Sequence, residues 1–141
     1  MKKRIAAIDY GLKRIGIALS DAGGSMAFPL LTVEGGRKAV ANVIKALENK
    51  KEEIARIIVG HPLLMNGREG DMALASRKFA EELQAAFSIE VVLWDERLSS
   101  AQADRNLREL SLNRKERASK IDTAAATLLL QSYLDSLSKD R

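Results

Sequence analysis

The chain has 141 residues, of which 46% are hydrophobic and 30% are charged, a composition that predicts one globular domain spanning residues 1–141. It has no cysteine and a single histidine, His61. This excludes a disulfide framework, a thiolate metal site and a cysteine nucleophile, and it argues against a histidine-based metal site. Lysine and arginine number 23 against 19 aspartate and glutamate, which gives a net charge of +4 and permits a polyanionic partner without requiring one. Any catalytic chemistry must therefore depend on carboxylates.

The apolar segments of the chain are short. The first, Ile5 to Ile8, lies between the basic residues 2–4 and Asp9 and is too short for the apolar region of a signal peptide. No run approaches the ~18 apolar residues of a membrane span. We therefore expect a cytoplasmic protein with no targeting signal and no membrane contact.

Three apolar runs in the first third of the chain predict three β-strands. They cover residues 5–8, 15–19 and 28–33, and glycine-containing turns separate them, as in consecutive hairpins. Pro29 lies in the third run and favours an edge position, because proline cannot donate to a sheet ladder. These strands predict an antiparallel meander.

After Gly35-Gly36 the pattern alternates between helices and strands. Strands are predicted over 57–59, ended by Gly60, and over 89–94. Helical spacing links Val40 to Leu47 and extends to Ile54, and a second helix buries Met72, Ala75, Phe79, Leu83 and Ala86. Further helices are predicted over 101–110 and 121–137, separated by a polar, basic stretch at 111–120 that we expect to be a mobile loop. This order predicts an α/β fold with a five-stranded mixed sheet, order 3-2-1-4-5, and helices on both faces.

Acidic residues fall where the predicted strands end. Asp9 follows the first strand, Asp95 and Glu96 follow the last, and Asp122 lies in the first turn of the predicted final helix. Functional groups of open α/β sheets gather at the carboxyl ends of the strands, and alternation allows only one of Asp95 and Glu96 to face that site. Converging carboxylates repel one another, and Mg²⁺ or Mn²⁺ relieves the repulsion while supporting phosphodiester hydrolysis.

Each acid also has a purely structural interpretation. Asp9 precedes a glycine turn and is typical of a turn former. Asp122 complements a helix dipole if it lies in a first helical turn, and Glu96 has Arg97 beside it as an ion-pair partner.

Four segments carry a resemblance that spacing does not supply. They are residues 8–21, residues 58–63 with Asn66-Gly67, residues 95–100, and residues 120–125. Their sequences and their order resemble the YqgF/RuvX family of bacterial RNase H-like proteins. The resemblance covers essentially the whole chain.

The resemblance implies an RNase H-like fold in which Asp9, Glu96 and Asp122 form a metal-binding catalytic triad, and it selects Glu96 over Asp95. The family is described as Holliday junction resolvases and as nucleases that trim the 5′ end of precursor 16S rRNA. We therefore expect a phosphodiester hydrolase that uses Mg²⁺ or Mn²⁺ and acts on structured RNA or four-way DNA junctions.

Basic residues near these motifs are candidates for contacts with the nucleic-acid backbone. They are Arg14, Arg68, Arg97, Arg114, Lys115 and Lys120. For Arg14 and Arg97 the alternative is a salt bridge to a neighbouring carboxylate. Trp94 is predicted to lie in the core, and His61 is predicted to be structural.

Two other functions compete with a nuclease. Asp9-Tyr10-Gly11 before a hairpin also resembles the phosphate loop of actin-like and sugar-kinase-like proteins, but those ATPases need two such domains and 141 residues supply one. A non-catalytic RNA- or ribosome-binding module that retains the acids stays open. So does the choice between a monomer and a homodimer.

Overall fold

The computed structural model describes the backbone of residues 4–98 and 115–139 and the side chains of residues 4–98 and 123–138. Five strands form one sheet: β1 (Arg4–Asp9), β2 (Arg14–Ser20), β3 (Ala27–Glu34), β4 (Ile54–His61) and β5 (Glu90–Asp95). The α-helices in this part of the chain are α1 (Ala39–Leu47), α2 (Asp71–Ala86) and α3 (Lys115–Lys139). Short 3-10 segments cover Gly36–Lys38, Glu48–Glu53 and Glu96–Leu98.

The sheet has the strand order β3-β2-β1-β4-β5, which confirms the predicted topology. β1 pairs antiparallel with β2, and β2 pairs antiparallel with β3. β1 pairs parallel with β4, and β4 pairs parallel with β5. β1 is thus the central strand. Pro29 lies in the edge strand β3, next to a register shift between Ile17 and Ala18, where a residue without an N–H is tolerated.

Helices cover both faces of the sheet, as predicted. One face packs α1 and α2 against alternate residues of the strands, including Ile8, Ile17 and Val59. The other face packs α3 against Ala7, Ala18 and Ile58. Each large side chain fully buried in these layers contributes roughly 1.5–3 kcal/mol to folding. None of the helices in the described residues is both long and apolar enough to cross a membrane.

The last helix begins earlier than the sequence predicted. Its backbone is helical from Lys115, so the prediction of a mobile loop over 111–120 is wrong for residues 115–120. Lysine, glutamate, arginine and alanine are strong helix formers. Residues 115–120 have no apolar residues at helical spacing, which is why the sequence predicted a loop there. Residues 111–114 and the helix predicted over 101–110 lie outside the described residues.

Two other boundaries differ from the prediction. β4 includes Ile54 at its start and Gly60 and His61 at its end, because apolar spacing alone cannot distinguish a buried strand from a helix. In α2 the buried residues are Ala73, Ser76, Phe79, Ala80 and Leu83. Phe79 and Leu83 were predicted correctly, whereas Met72, Ala75 and Ala86 were not.

Candidate active site

Two buried carboxylates lie on the same face at the carboxyl edge of the sheet. Asp9 is the last residue of β1 and is 4% exposed, and Glu96 follows β5 and is 1% exposed. Side chains alternate along a strand, so Asp9 has the orientation of Ala7, and Glu96 continues the side of Trp94. Ala7 and Trp94 both pack in the α3 layer. The fold therefore places Asp9 and Glu96 on the α3 side of the sheet.

Gly60 makes room for Glu96 on the strand between them. Ile8 pairs with Val59, and Gly60 pairs with Trp94, so Gly60 lies between the ends of β1 and β5. A Cβ atom at Gly60 would collide with Glu96 Oε2 and would lie 3.0 Å from its Cδ and 3.1 Å from Leu129 Cδ2. The missing side chain thus creates the space in which the Glu96 carboxylate lies against β4.

Hydrogen bonds from α3 fix the helix against this edge. Ser132 Oγ donates to the carbonyl of Leu98, 3.0 Å away, in the turn that carries Glu96. At the opposite end of the sheet, Gln131 Oε1 accepts from the backbone N–H of Ala27 at 3.0 Å. The helix is therefore anchored to the turn after β5 and to the start of β3.

The third predicted acid is Asp122. The structure describes its backbone, which is part of α3, but not its side chain. Because α3 begins at Lys115, Asp122 is not in the first helical turn, and that part of the prediction is wrong. The interpretation of Asp122 as a partner of the helix dipole loses its basis, since the dipole effect falls off within the first turn. Asp122 precedes Leu129, which touches Gly60, by about two helical turns.

The donor set of this edge fits a hard divalent cation. Carboxylate oxygens are the ligands that Mg²⁺ and Mn²⁺ prefer, and Asp9 and Glu96 are both held in a buried, preformed arrangement. Within the described side chains no three His, Asp or Glu residues form a metal-binding group. A complete three-carboxylate site therefore requires a further acid, and Asp122 is the predicted one.

The other face of the same edge carries a different acid. Asp95 points toward α1 and α2, and Arg97 holds it in a bidentate ion pair with Nε–Oδ1 and Nη2–Oδ2 distances of 3.1 and 2.8 Å. This hydrogen-bonded guanidinium lowers the pKa of Asp95 from its usual value. Arg97 Nη1 also donates to the carbonyl of Met65 at 3.3 Å. Asp95 thus anchors an arginine that joins β5 to the loop after β4.

His61 belongs to a second ion-pair network on that face. His61 Nε2 lies 2.8 Å from Glu69 Oε2, and Arg77 Nε donates to the same carboxylate at 2.8 Å. The hydrogen bond from Arg77, followed by that from His61, lowers the pKa of Glu69 below its ordinary value. These contacts join the end of β4 to α2, which agrees with a structural His61.

The predicted nucleic-acid-binding residues fall in three groups. Arg14 and Arg68 are exposed at the carboxyl edge, in β2 and in the loop after β4. Arg97 makes the salt bridge that the sequence offered as its alternative. Lys115 and Lys120 belong to α3, but their side chains are not described. Arg114 lies outside the described residues. Their contacts with substrate stay predictions.

Two of the aromatic residues in or beside the strands are packed. Trp94 packs edge-on against Tyr133 of α3, with ring centroids 5.1 Å apart, as part of the predicted core. Tyr10 stacks on Phe79 of α2 at 4.7 Å. Phe28, in contrast, is 49% exposed on the edge strand.

Sequence reasoning missed Gly60 and Glu69. Gly60 was interpreted only as the end of a strand, although an isolated glycine after an apolar strand is also typical of a close approach by another group. Glu69 has no such signal, because its partners His61 and Arg77 are brought to it by the packing of α2 on β4.

Comparisons with known proteins agree with this geometry. The family model described as "RuvX: Holliday junction resolvase" matches residues 3–136. A protein of Protochlamydia amoebophila, named as a candidate pre-16S rRNA nuclease, is 46% identical over 140 residues, which cover 94% of this chain and 93% of that protein.

Two solved structures of resolvases share the fold. Thermus thermophilus RuvC in complex with a Holliday junction substrate aligns with a TM-score of 0.56 at 13% identity, covering 96% of this chain and 95% of that one. The fowlpox virus resolvase with Holliday junction DNA aligns at 0.52 and 14% identity, covering 95% and 98%. The chain therefore belongs to the RuvX family and is a nuclease with an RNase H-like fold.

Proposed function

We propose that this nuclease is a divalent-metal-dependent phosphodiester hydrolase that acts on structured nucleic acid, with Asp9, Glu96 and Asp122 as its metal ligands. The observation that carries the proposal is the pair of buried carboxylates on one face of the carboxyl edge, with Gly60 between them. Burying a carboxylate is costly unless other groups compensate for its charge. A divalent cation held by these acids would offset part of their charge and would also serve hydrolysis.

Mg²⁺ or Mn²⁺ supplies positive charge that offsets the acids and stabilises charge developing on a phosphate. The chain's own contribution is to hold the carboxylates in place: β1 positions Asp9, the turn after β5 positions Glu96, and α3 carries Asp122. Burial beneath α3 reduces water around Asp9 and Glu96, which strengthens their interaction with a cation.

The substrate that we favour is the 5′ region of precursor 16S rRNA, because a relative 46% identical over nearly the whole chain carries that name. Four-way DNA junctions are the second candidate, supported by the description of the family. The first substrate implies a protein that acts in the cytoplasm. The choice between monomer and homodimer stays a prediction, and cleavage of a junction at two coordinated points would require the dimer.

Measuring cleavage of precursor 16S rRNA and of a four-way DNA junction, with and without Mg²⁺, tests the proposal. We expect metal-dependent cleavage that falls by about a hundredfold or more in Asp9→Asn and Glu96→Gln, since each substitution removes charge from the reacting centre. Asp95→Asn is the matched control on the opposite face and should retain most of the activity.

Binding of metal gives a second readout. Mn²⁺ should raise the unfolding temperature of the wild type by mass action, but not that of Asp9→Asn. Equal cleavage by the wild type and Asp9→Asn would refute the nuclease site. Binding of RNA without cleavage in either metal would favour the non-catalytic module instead.

A further inference from the structure

A cluster of exposed basic residues lies at the carboxyl edge of the sheet, on the α1 and α2 side. Its members are Lys13, in the turn between β1 and β2; Arg37 and Lys38, between β3 and α1; and Lys78 on α2. We call these four residues the basic patch. None of them was among the residues that the sequence predicted to bind nucleic acid.

Close backbone packing joins two of the segments that form the basic patch. The N–H of Gly35 donates to the carbonyl of Lys13 at 2.9 Å. A Cβ atom at Gly35 would lie 2.7 Å from the carbonyl oxygen of Gly11 and 2.8 Å from that of Leu12, which is too close for any residue except glycine. The turn that follows Asp9 is therefore held directly against the segment that carries Arg37 and Lys38.

A cleft connects Lys78, the fourth residue of the basic patch, to Arg37. It has a volume of about 150 Å³ and lies between the start of α1 and the middle of α2, with Arg37, Lys78 and Tyr10 among its lining residues. Tyr10 follows Asp9 in the chain, and its ring is fixed by stacking on Phe79. The cleft thus runs from the basic patch to the strand end that carries Asp9.

The cations of the basic patch have no ion-pair partner among the described side chains. No salt bridge within 4.0 Å involves Lys13, Arg37, Lys38 or Lys78 among the described side chains, in contrast to Arg77 and Arg97. Two carboxylates lie near the patch, Glu34 at the end of β3 and Glu82 in the cleft. The four exposed cations outnumber these two acids, which favours an anionic ligand at the patch.

From these observations we infer that the basic patch binds the sugar-phosphate backbone of the nucleic acid and guides it across the β1–β2 turn to the buried acids. The inference rests on the proposed function, of which it specifies the substrate-binding surface. Phosphate contacts of this kind position a substrate without reading its sequence. Because Gly35 packs tightly against the β1–β2 turn, the protein loses little conformational entropy when the nucleic-acid backbone binds.

The test is the salt dependence of binding to a short, fluorescein-labelled single-stranded RNA, measured by fluorescence anisotropy in EDTA. The triple variant Lys13→Ala/Arg37→Ala/Lys38→Ala should lower affinity by roughly tenfold to a hundredfold at low salt. The plot of log K against log salt should become shallower, with a slope that is smaller in magnitude by about 2. This is the change expected when three contacts to a single strand are lost. Each substitution is also measured singly, in case the triple variant does not fold.

The matched control removes three positive charges from the opposite edge of the sheet. Lys45 lies in the last turn of α1, and Lys50 and Lys51 lie in the 3-10 segment before β4. The variant Lys45→Ala/Lys50→Ala/Lys51→Ala should keep the wild-type slope. Equal losses in both triple variants would overturn the inference in favour of net charge alone, and an unchanged slope in the first triple variant would overturn it outright.

Failure of this inference is distinguishable from failure of the proposed function. Binding in EDTA requires no metal and no cleavage. If the wild type does not cleave but binding depends on the basic patch, the proposed function fails and the patch stands. If the wild type cleaves and both triple variants bind alike, the patch fails and the nuclease site stands.

Discussion

The two faces of the carboxyl edge hold acids in opposite ways. On the α3 side, Asp9 and Glu96 are almost completely buried. On the α1 and α2 side, Asp95 and Glu69 are partly exposed and lie within 2.8 Å of arginine nitrogens. Acids that are one residue apart in the chain, such as Asp95 and Glu96, thus differ completely in environment.

This contrast separates structural acids from candidate catalytic ones. An ion pair near the surface contributes little to stability and mainly joins segments, as Asp95 does through Arg97. Buried carboxylates are costly, and this edge places two of them on one face, with Gly60 on the strand between them. Burial therefore distinguishes the candidate catalytic face from the ion-paired face better than the mere presence of acids.

Among these substitutions, we expect Gly60→Ala, on the buried face, to cause the largest loss of stability and of cleavage activity. The added methyl group would meet the Glu96 carboxylate and Leu129, and such overpacking costs about 1–3 kcal/mol of folding free energy. Displacing Glu96 should also lower cleavage about tenfold to a hundredfold, since small misplacements are costly in catalysis. Chemical denaturation and cleavage assays measure the two effects.

Gly23→Ala is the matched control for this substitution. A Cβ atom there would meet only Asp21 Oδ2, at 3.6 Å, an ordinary contact. Its free energy of unfolding should stay within about 0.5 kcal/mol of the wild type. Full activity in Gly60→Ala would contradict the assigned position of Glu96.

A smaller effect concerns Glu69 and is expected to depend on pH. Because the folded-state pKa of Glu69 is lowered from 4.5, its ionisation stabilises the fold above that value, and this stability is lost as the pH falls through the lowered pKa. Glu69→Gln should therefore be less stable than the wild type at neutral pH, and the difference should shrink below about pH 4.5. Thermal unfolding across this range measures it.

Arg77→Met removes the largest cause of the lowered pKa and should give the same pH profile as Glu69→Gln. A difference from the wild type that is constant across pH, in either variant, would show that the ion pair does not stabilise the fold. Neither variant should change the metal dependence of cleavage, because both residues lie on the ion-paired face.

The smallest effect is expected from Arg97→Lys. Lysine keeps the charge but cannot contact both oxygens of Asp95 and the Met65 carbonyl together. Backbone amides of the loop after β4, such as Leu64 and Gly67, should exchange faster with deuterium, while global stability changes little. Unchanged exchange would show that Arg97 does not anchor this loop.

Much of this fold could be predicted from the sequence. Three apolar runs separated by glycine-containing turns predicted the meander, and the alternation of strands and helices after Gly36 predicted the parallel pairs. The start of α3 could not be predicted, since residues 115–120 form a helix without an apolar stripe. Asp9 and Glu96 were predicted as metal ligands from their positions after strands together with the family resemblance; the structure places both at the carboxyl edge, and their role stays a prediction.

Other features depend on contacts between segments that are distant in the chain. Gly35 packs on Gly11, Arg77 reaches Glu69, and Arg37 shares a cleft with Lys78. No local pattern encodes these neighbours. The basic patch was missed for this reason, since its members come from three separate elements.

The residue content of the chain limits the chemistry that is available to this protein. Without cysteine and with one histidine, carboxylates were the groups left for catalysis, and the strand ends indicated which ones. Folding gives these two adjacent acids different surroundings: Asp95, the last residue of β5, pairs with Arg97, and Glu96, in the turn that follows, enters the space beside Gly60. The physical reason is that the environment of a carboxylate depends on which layer covers its face of the sheet, and only packing determines that.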